Sequence, residues 1–412
     1  MFKKDRMFFR FALYGFLKNL RFFEPFLVLF FREQGLTFLQ IGVLYAIRDL
    51  ATNFLEIPTG VYADAFGRRK SMLMAFGSYI VSFFIFYYFP NFYVYALAML
   101  CFALGEAFRT GTHKALILEH LKLNEMEHLK VEYYGRTRAA SQLGSALNSL
   151  LAAALVFYSG SYRYIFIAST LPYVLDFVNL STYPKDLDGE LVRLQQGAMW
   201  AQMKMTVSTF IDLFKDLDAM RAMLNSSGFD AFYKATKDYL QPILKTFALS
   251  LPLFLALAEA QRSALVVGLI YFVIYLLSSY ASRGAATFSK RFANVARAIN
   301  VTFVIGAGFL FVAGIASWAD LAVLSILVFL GLYLLHNVRR PMNVAFISDQ
   351  ISSKVMASGL SVESQLTTLL MALISPILGA LADSFGVGTA LACLGVGMLL
   401  VALLARVSVK EA

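Results

Sequence analysis

Charged side chains lie inside several long apolar stretches of this chain, and they are the groups that could do chemistry there. The first stretch carries Lys18, Arg21 and Glu24, with Tyr14 one turn earlier. At about 100° of helix per residue, these four side chains fall within an arc of about 120°. A charge in an apolar layer needs a charged partner or a water-filled cavity, so this face can bind a charged small molecule or carry a proton.

Other stretches add charges at spacings that allow pairing. Glu106 and Arg109 are three residues apart in the fourth stretch, close enough on a helix to form an ion pair. His336, near the end of the tenth stretch, is expected to be a loop or capping residue. The predicted substrate-binding residues are Tyr14, Lys18, Arg21, Arg109 and Lys245. The predicted proton-carrying residues are Glu24, Glu106 and Asp49.

These charges stand out because the rest of the chain is strongly apolar. Of its 412 residues, 59% are hydrophobic and only 15% are charged, and the mean hydropathy is +0.66. Soluble domains are nearer half apolar and a quarter charged, so the composition predicts a membrane protein without a large enzyme domain outside the membrane. No cofactor motif, metal-ligand cluster or catalytic nucleophile with a base is visible, and Cys101 and Cys393 are expected to be core thiols.

Apolar runs separated by Gly, Pro and charge predict an all-α polytopic protein with twelve transmembrane helices in two six-helix halves. The predicted spans are 8–31, 37–58, 71–89, 92–112, 137–159, 163–182, 238–258, 262–281, 299–316, 318–338, 358–382 and 386–405. Spans 3, 6, 9 and 12 hold almost no charge, so we expect them to face lipid.

The chain divides into an N-terminal half at 1–182, a cytoplasmic linker at 183–237 and a C-terminal half at 238–412. Within the linker, residues 198–224 alternate apolar and charged positions at helical spacing. This pattern predicts an amphipathic helix on the inner membrane face, and a plain tether and a regulatory element fit it equally well.

The basic residues predict the orientation of the chain. Of the 36 Lys and Arg residues, 28 fall in alternate connections and the termini, and only Arg32, Arg163 and Arg262 fall in the other connections. Because cytoplasmic loops carry the excess of basic residues, both termini are expected in the cytoplasm of a plasma or inner membrane protein. The net charge of +10 therefore reflects the basic residues of the cytoplasmic connections, and no nucleic-acid partner is expected.

An internal repeat supports two halves of like orientation. RTGTHKALILE, which begins at Arg109, aligns with RRPMNVAFISD, which begins at Arg339. Each segment lies at the inner end of the fourth span of its half. This arrangement is typical of transporters built from parallel repeats.

The most specific motif is GVYADAFGRRK, between the second and third spans. Asp64 can pair with the basic residues beside it or with the helix N-terminus predicted near Ser358. The residues Gly60, Asp64, Gly67, Arg68 and Arg69 match the signature loop of the major facilitator superfamily. The chain resembles that superfamily over its whole length. The resemblance implies that these five residues form a cytoplasmic latch that holds the two halves closed.

We expect a secondary transporter in which two halves rock about a site near the membrane midplane. Its expected partners are a small-molecule substrate, protons and membrane lipid, with no cofactor. No GxxxxGK loop is present, which disfavours ATP as the energy source. The basic residues of the site favour an organic anion, with Glu24 as the first choice of proton carrier. A multidrug exporter of hydrophobic cations, or a non-transporting receptor or sensor on a transporter fold, are the alternatives.

Overall fold

The computed structural model describes residues 5–189, 191, 204, 208, 217–350 and 356–407. Within these ranges the chain is helical, with no β-strand. The helices are α1 Arg6–Lys18, α2 Leu27–Glu33, α3 Phe38–Phe66, α4 Arg68–Tyr88, α5 Phe92–Arg109, α6 Thr112–Leu123, α7 Lys130–Ser159, α8 Tyr164–Ser181, α9 Leu217–Thr236, α10 Leu240–Ser250, α11 Glu259–Ser289, α12 Val295–Trp318, α13 Ala322–Gln350, α14 Met356–Phe385 and α15 Val387–Leu404.

In the described part of the chain, nine helical segments are long and apolar enough to cross a membrane. They are Arg68–Tyr88, Phe92–Leu123, Glu132–Ser159, Tyr164–Ser181, Glu259–Ser282, Val295–Trp318, Ala322–Val344, Val362–Phe385 and Val387–Leu404. The expectation of an all-helical membrane protein is confirmed, and the count of twelve spans stays a prediction. Cys101 is half-buried and Cys393 is exposed, so the expectation of two core thiols was wrong for Cys393.

The first predicted span, 8–31, is broken into α1 and α2. The Asn19 side chain donates to the Gly15 carbonyl oxygen at 2.6 Å and so caps the end of α1. A short 3-10 turn, Glu24–Phe26, then leads into α2. Pro25 lies in this turn and has no N–H to donate to the helical hydrogen-bond pattern.

The seventh predicted span, 238–258, differs most from the structure. Helix α9 already begins at Leu217, and α10 ends at Ser250, just before Pro252. The predicted amphipathic helix 198–224 falls mostly outside the described residues. Its last part belongs to α9, where Ala222 and Met223 are buried instead of lying on a membrane surface.

The chain forms two compact units. The first comprises Met1–Phe26 and Leu50–Gln202. In it α1 packs on α7 and α8, and α4 packs on α5 and α8. Helices α1 and α7 approach closely because Gly144 has no side chain: a Cβ there would lie 2.5 Å from the carbonyl oxygen of Phe16.

The second unit comprises Leu27–Asp49 and Met203–Ala412, so it includes α2 and the start of α3. Asp383 of α14 accepts hydrogen bonds from the backbone N–H groups of Phe38 and Leu39 at 2.8 and 2.7 Å. A carboxylate at this position stabilises the N-terminus of α3. Elsewhere in the unit α12 packs on α13 and α15, and α9 packs on α14.

Candidate functional site

Glu106, on α5, is the centre of a polar cluster in the first unit. One carboxylate oxygen lies 2.6 Å from Arg21 Nη2, and the other lies 2.5 Å from Arg109 Nη2. The Tyr79 hydroxyl donates to Glu106 at 2.8 Å and accepts from Arg109 Nε at 3.1 Å. The predicted Glu106–Arg109 pair is therefore present, and Arg21 and Tyr79 complete a closed network.

Arg21 lies outside any helix and is held by a contact with α7. It follows the end of α1, and its backbone carbonyl accepts a hydrogen bond from Asn148 Nδ2 of α7 at 3.0 Å. The guanidinium carbon lies 5.7 Å from the centre of the Phe102 ring. The exposed fractions of the Arg21 and Glu106 side chains are 16% and 19%, so the pair is largely shielded from solvent.

Lys18, one turn before Arg21, is the cation of this cluster that has no ion pair with any described residue. The side chain is half-buried. Its charged neighbours are the cations Arg109 and Arg21 and the acids Glu106 and Glu24. An ammonium group in such surroundings is a favourable contact for an anion.

Tyr14 lies against an aromatic neighbour that the sequence did not reveal. Its ring stacks on the His113 ring, with centroids 3.5 Å apart and an angle of 15° between the planes. His113 belongs to α6, beyond the fourth predicted span. No described residue makes a hydrogen bond with His113 Nε2.

Asp176 of α8 is a second residue that the sequence analysis missed. The sixth span was expected to face lipid; α8 does expose apolar side chains such as Leu171, but its other face packs on α1. Tyr173 OH donates to the Lys18 carbonyl at 3.2 Å, and Asn179 Nδ2 donates to the Arg10 carbonyl at 3.1 Å. Asp176 lies between them with no solvent exposure, and its Oδ2 has no hydrogen-bond partner among the described residues. An acid inside an apolar stretch was the signal.

The remaining predicted residues lie in different surroundings. Glu24 lies in the turn before α2 and interacts electrostatically with Lys18. In the second unit, Asp49 accepts a hydrogen bond from Arg48 Nε at 2.8 Å. Lys245 of α10, also in the second unit, has an ion pair with Glu259, Nζ to Oε2, at 3.1 Å.

The signature motif begins within helix α3, where Gly60 and Asp64 are both exposed. Asp64 makes no hydrogen bond or ion pair with any described residue, so the local pairing considered from the sequence is not observed. Its role in a latch stays a prediction.

The second part of the motif is held within the first unit. Gly67 has a φ of 105° and precedes α4. The Asp188 carboxylate accepts from the Arg69 backbone N–H at 2.7 Å. A Cβ on Gly67 would lie 2.7 Å from that carboxylate, so the position requires glycine. Arg68 pairs with Glu119 at 3.5 Å.

Asp5 ties the N-terminus of α1 to α6 and α7. It accepts from the Phe8 backbone N–H at 2.6 Å, lies 2.7 Å from His120 Nε2, and accepts from Tyr133 OH at 3.0 Å. Burial raises the pKa of the Asp5 carboxyl, but the hydrogen bonds from His120 and Phe8 outweigh it, so the pKa is below the ordinary value of 3.8.

Arg339, the repeat counterpart of Arg109, is 1% exposed in the second unit. It donates to Thr302 Oγ1 at 2.8 Å and to the Asn225 carbonyl at 3.1 Å, and it also bonds to the Ile299 carbonyl. Its guanidinium lies 4.5 Å from the centre of the Phe229 ring. No carboxylate within the described ranges pairs with it.

His336 lies inside α13 and is buried, so its expected role as a loop or capping residue was wrong. Its ring stacks on Tyr233 with centroids 3.9 Å apart. His336 Nδ1 lies 3.4 Å from Asp230 Oδ1, within ion-pair distance but without the geometry of a hydrogen bond.

The fold and cluster correspond to a known family. A family model described as the Major Facilitator Superfamily matches residues 7–364. The chain belongs to this superfamily, which is a family of membrane transporters and not of enzymes.

A curated relative from Bacillus subtilis (strain 168), described as the uncharacterized MFS-type transporter YxaM, is 30% identical over 90 residues. The match covers 22% of this chain and 23% of the relative.

Solved transporters share the fold over almost the whole chain. The nucleoside transporter NupG is 14% identical with a TM-score of 0.73, covering 97% of this chain and 98% of its own. A POT family transporter in complex with 5-aminolevulinic acid is 13% identical with a TM-score of 0.72, and the match covers 96% of this chain and 94% of that transporter. A D-xylose-proton symporter is 13% identical with a TM-score of 0.69, covering 98% and 97%. At these identities the likeness concerns the fold alone.

Proposed function

We propose that the protein is a secondary transporter of a small organic anion, working by alternating access of its two halves. The observation that carries the anion proposal is the environment of Lys18. Its ammonium group has no ion pair with a described residue, and the guanidinium groups of Arg109 and Arg21 are charged neighbours that repel it. A substrate carboxylate beside Lys18 would replace this repulsion by attraction, in surroundings where charge interactions are stronger than in water.

Arg21 and Arg109 have a different role in this proposal. Both form ion pairs with Glu106. They therefore contribute a fixed positive potential near Lys18 and do not bind the substrate by themselves. The Tyr14 ring, which stacks on His113, lies one helical turn before Lys18 and provides an aromatic surface. Lys245, in the second unit, stays a predicted substrate-binding residue and pairs with Glu259.

Proton coupling is the second part of the proposal. Glu106 and Asp49 have guanidinium partners, so protonating either would break an ion pair. Glu24 stays our first choice of proton carrier because it is an acid near Lys18 in the predicted polar stripe. Asp176 joins it because its carboxyl group is buried without an ion pair among the described residues. Twelve spans, cytoplasmic termini and a latch at Asp64 belong to the same proposal, supported by the distribution of basic residues and the signature motif.

The anion proposal is tested with purified protein and the variants Lys18→Met and Lys18→Arg. A thermal-shift screen of organic anions, organic cations and neutral amphiphiles should give stabilisation by anions only, because a ligand that binds the native state raises its stability. Lys18→Met should abolish that stabilisation and labelled-anion counterflow, and Lys18→Arg should retain part of both. Lys130→Met, at an exposed lysine in the same unit, is the control. Stabilisation by hydrophobic cations that survives Lys18→Met would overturn the proposal.

The proton step is tested by comparing accumulation with exchange in vesicles. Glu24→Gln should abolish gradient-driven accumulation and spare exchange of labelled for unlabelled substrate. Asp176→Asn is the parallel variant. If both variants still accumulate substrate at the wild-type rate, neither acid carries the proton.

A further inference from the structure

A groove in the second unit brings together three arginines that the proposed transport does not use. The groove has a volume of about 1230 Å³ and is lined by α9, α12, α15 and the residues after α15. Arg221, Arg297 and Arg406 line it, and all three are exposed. None of their guanidinium groups makes a hydrogen bond or ion pair with another described residue, and the described residues that line the groove include no acid. The three positive charges of the groove therefore have no acidic partner among the described residues.

The backbone around Arg406 is fixed by two asparagines. The Asn300 side chain donates to the Val407 carbonyl at 2.7 Å and accepts from the Val407 N–H at 3.1 Å. Asn225 Nδ2 donates to the Ala405 carbonyl at 2.9 Å. Ala405 and Val407 are consequently buried, whereas the Arg406 side chain between them is exposed. The arginine is held in place by its neighbours and is not on a free tail.

The start of α12 adds to the positive potential. Asn294 caps this 24-residue helix, and its side chain accepts from the Arg297 N–H at 2.8 Å. Asn294 and Arg297 both line the groove. The N-terminal end of a long helix carries partial positive charge and so favours an anion at the same place.

The rest of the groove is apolar and continues onto the outer surface of two membrane-spanning helices. Val304 and Ile305 of α12 are 43% and 37% exposed, and Leu403 of α15 is 61% exposed. Exposed aliphatic side chains on such helices match the acyl chains of lipids. The groove thus combines an anion site with an apolar wall.

We propose that this groove binds one anionic phospholipid. Its phosphate lies among Arg221, Arg297 and Arg406, and an acyl chain lies along Val304 and Leu403. The positive-inside distribution of basic residues puts all three arginines on the cytoplasmic side, where the leaflet carries anionic lipids that attract such clusters. A lipid fits the observations better than a soluble phosphate compound, because only a lipid uses the apolar wall.

The test measures lipid binding by delipidated full-length protein in detergent. Native mass spectrometry follows titration with phosphatidylglycerol and with phosphatidylcholine of the same acyl chains. Phosphatidylglycerol should bind at least about tenfold more tightly, since each arginine near an anionic headgroup strengthens binding about fivefold. The triple variant Arg221→Gln, Arg297→Gln, Arg406→Gln should lose most of that preference.

The matched control changes three exposed basic residues of the first unit that are also predicted to be cytoplasmic: Lys130→Gln, Arg138→Gln and Lys185→Gln. This control should keep the preference for phosphatidylglycerol. Equal binding of the two lipids by the wild type would overturn the proposal. An equal loss of the preference for phosphatidylglycerol in both triple variants would overturn it as well. Displacement of phosphatidylglycerol by millimolar inorganic phosphate would also overturn it, because the groove would then be a site for free phosphate.

Discussion

Removing the charge of Glu106 should destabilise the first unit far more than removing the charge of an exposed glutamate. Glu106 accepts hydrogen bonds from Arg21, Arg109 and Tyr79 at 2.5–2.8 Å, and its side chain is 19% exposed. Glu106→Gln keeps one acceptor but points an amide N–H₂ at a guanidinium. Removing one partner of a buried ion pair costs about 3–5 kcal/mol, and the partial exposure here places the expected loss near ~3 kcal/mol.

The assay is thermal unfolding of the purified protein in detergent. At roughly 2–4 °C per kcal/mol for a unit of this size, Glu106→Gln should lower Tm by about 6–12 °C. The control is Glu132→Gln: Glu132 pairs with Arg136 at 2.6 Å, but the side chains are 43% and 49% exposed. An exposed i,i+4 pair contributes only about 0.3–0.5 kcal/mol, so Tm should fall by less than about 2 °C. Equal losses in the two variants would refute the reasoning that burial makes the Glu106 network strong.

Three further predictions concern the predicted cytoplasmic end of the first unit. Asp64→Asn should leave folding and membrane insertion intact but strongly reduce transport, and wild-type transport rates would exclude a latch role. Gly67→Ala should lower stability by about 1–3 kcal/mol, because alanine is strained at a φ of 105° and its Cβ meets Asp188; an unchanged Tm would contradict this. Asp5→Asn should lower Tm at pH 7. Because the folded-state pKa of Asp5 is lowered, the difference should begin to shrink as the pH falls to the ordinary value of 3.8 and should vanish only below the folded-state pKa; a difference that stays constant on acidification would exclude this cause.

The sequence located much of the polar cluster because helix geometry is local. Glu106 and Arg109 are three residues apart in one helix, so their proximity follows from about 100° per residue. The same spacing grouped Lys18 with Arg21, although α1 ends at Lys18 and Arg21 lies beyond it. The contact of Glu106 with Arg21 joins segments 85 residues apart. Spacing alone cannot supply such a contact, and the sequence paired Glu106 only with Arg109.

The sequence located Asp176 and α9 poorly because their environments depend on distant partners. A single acid in an apolar helix does not reveal which face is covered, and only the packing of α8 on α1 shows that Asp176 is buried. The polar run Asn225–Ser227 looks like a loop by hydropathy. In the structure Asn225 bonds to Arg339, and Ser227 donates to the Glu363 carbonyl at 3.0 Å. Polar residues can therefore lie within a buried helix when tertiary partners satisfy them.

The internal repeat shows why a shared position does not imply a shared role. Arg109 and Arg339 occupy matching places in the two repeated segments, yet their surroundings differ. Arg109 pairs with Glu106 and is 20% exposed, next to an ammonium group without an ion pair among the described residues. Arg339 is 1% exposed and bonds only to neutral oxygens within the described residues. A charged substrate can interact with the network of Arg109 without breaking it. To reach Arg339, the substrate would have to open the core of the second unit. The proposed recognition of an anion is therefore asymmetric, and it rests on the first unit.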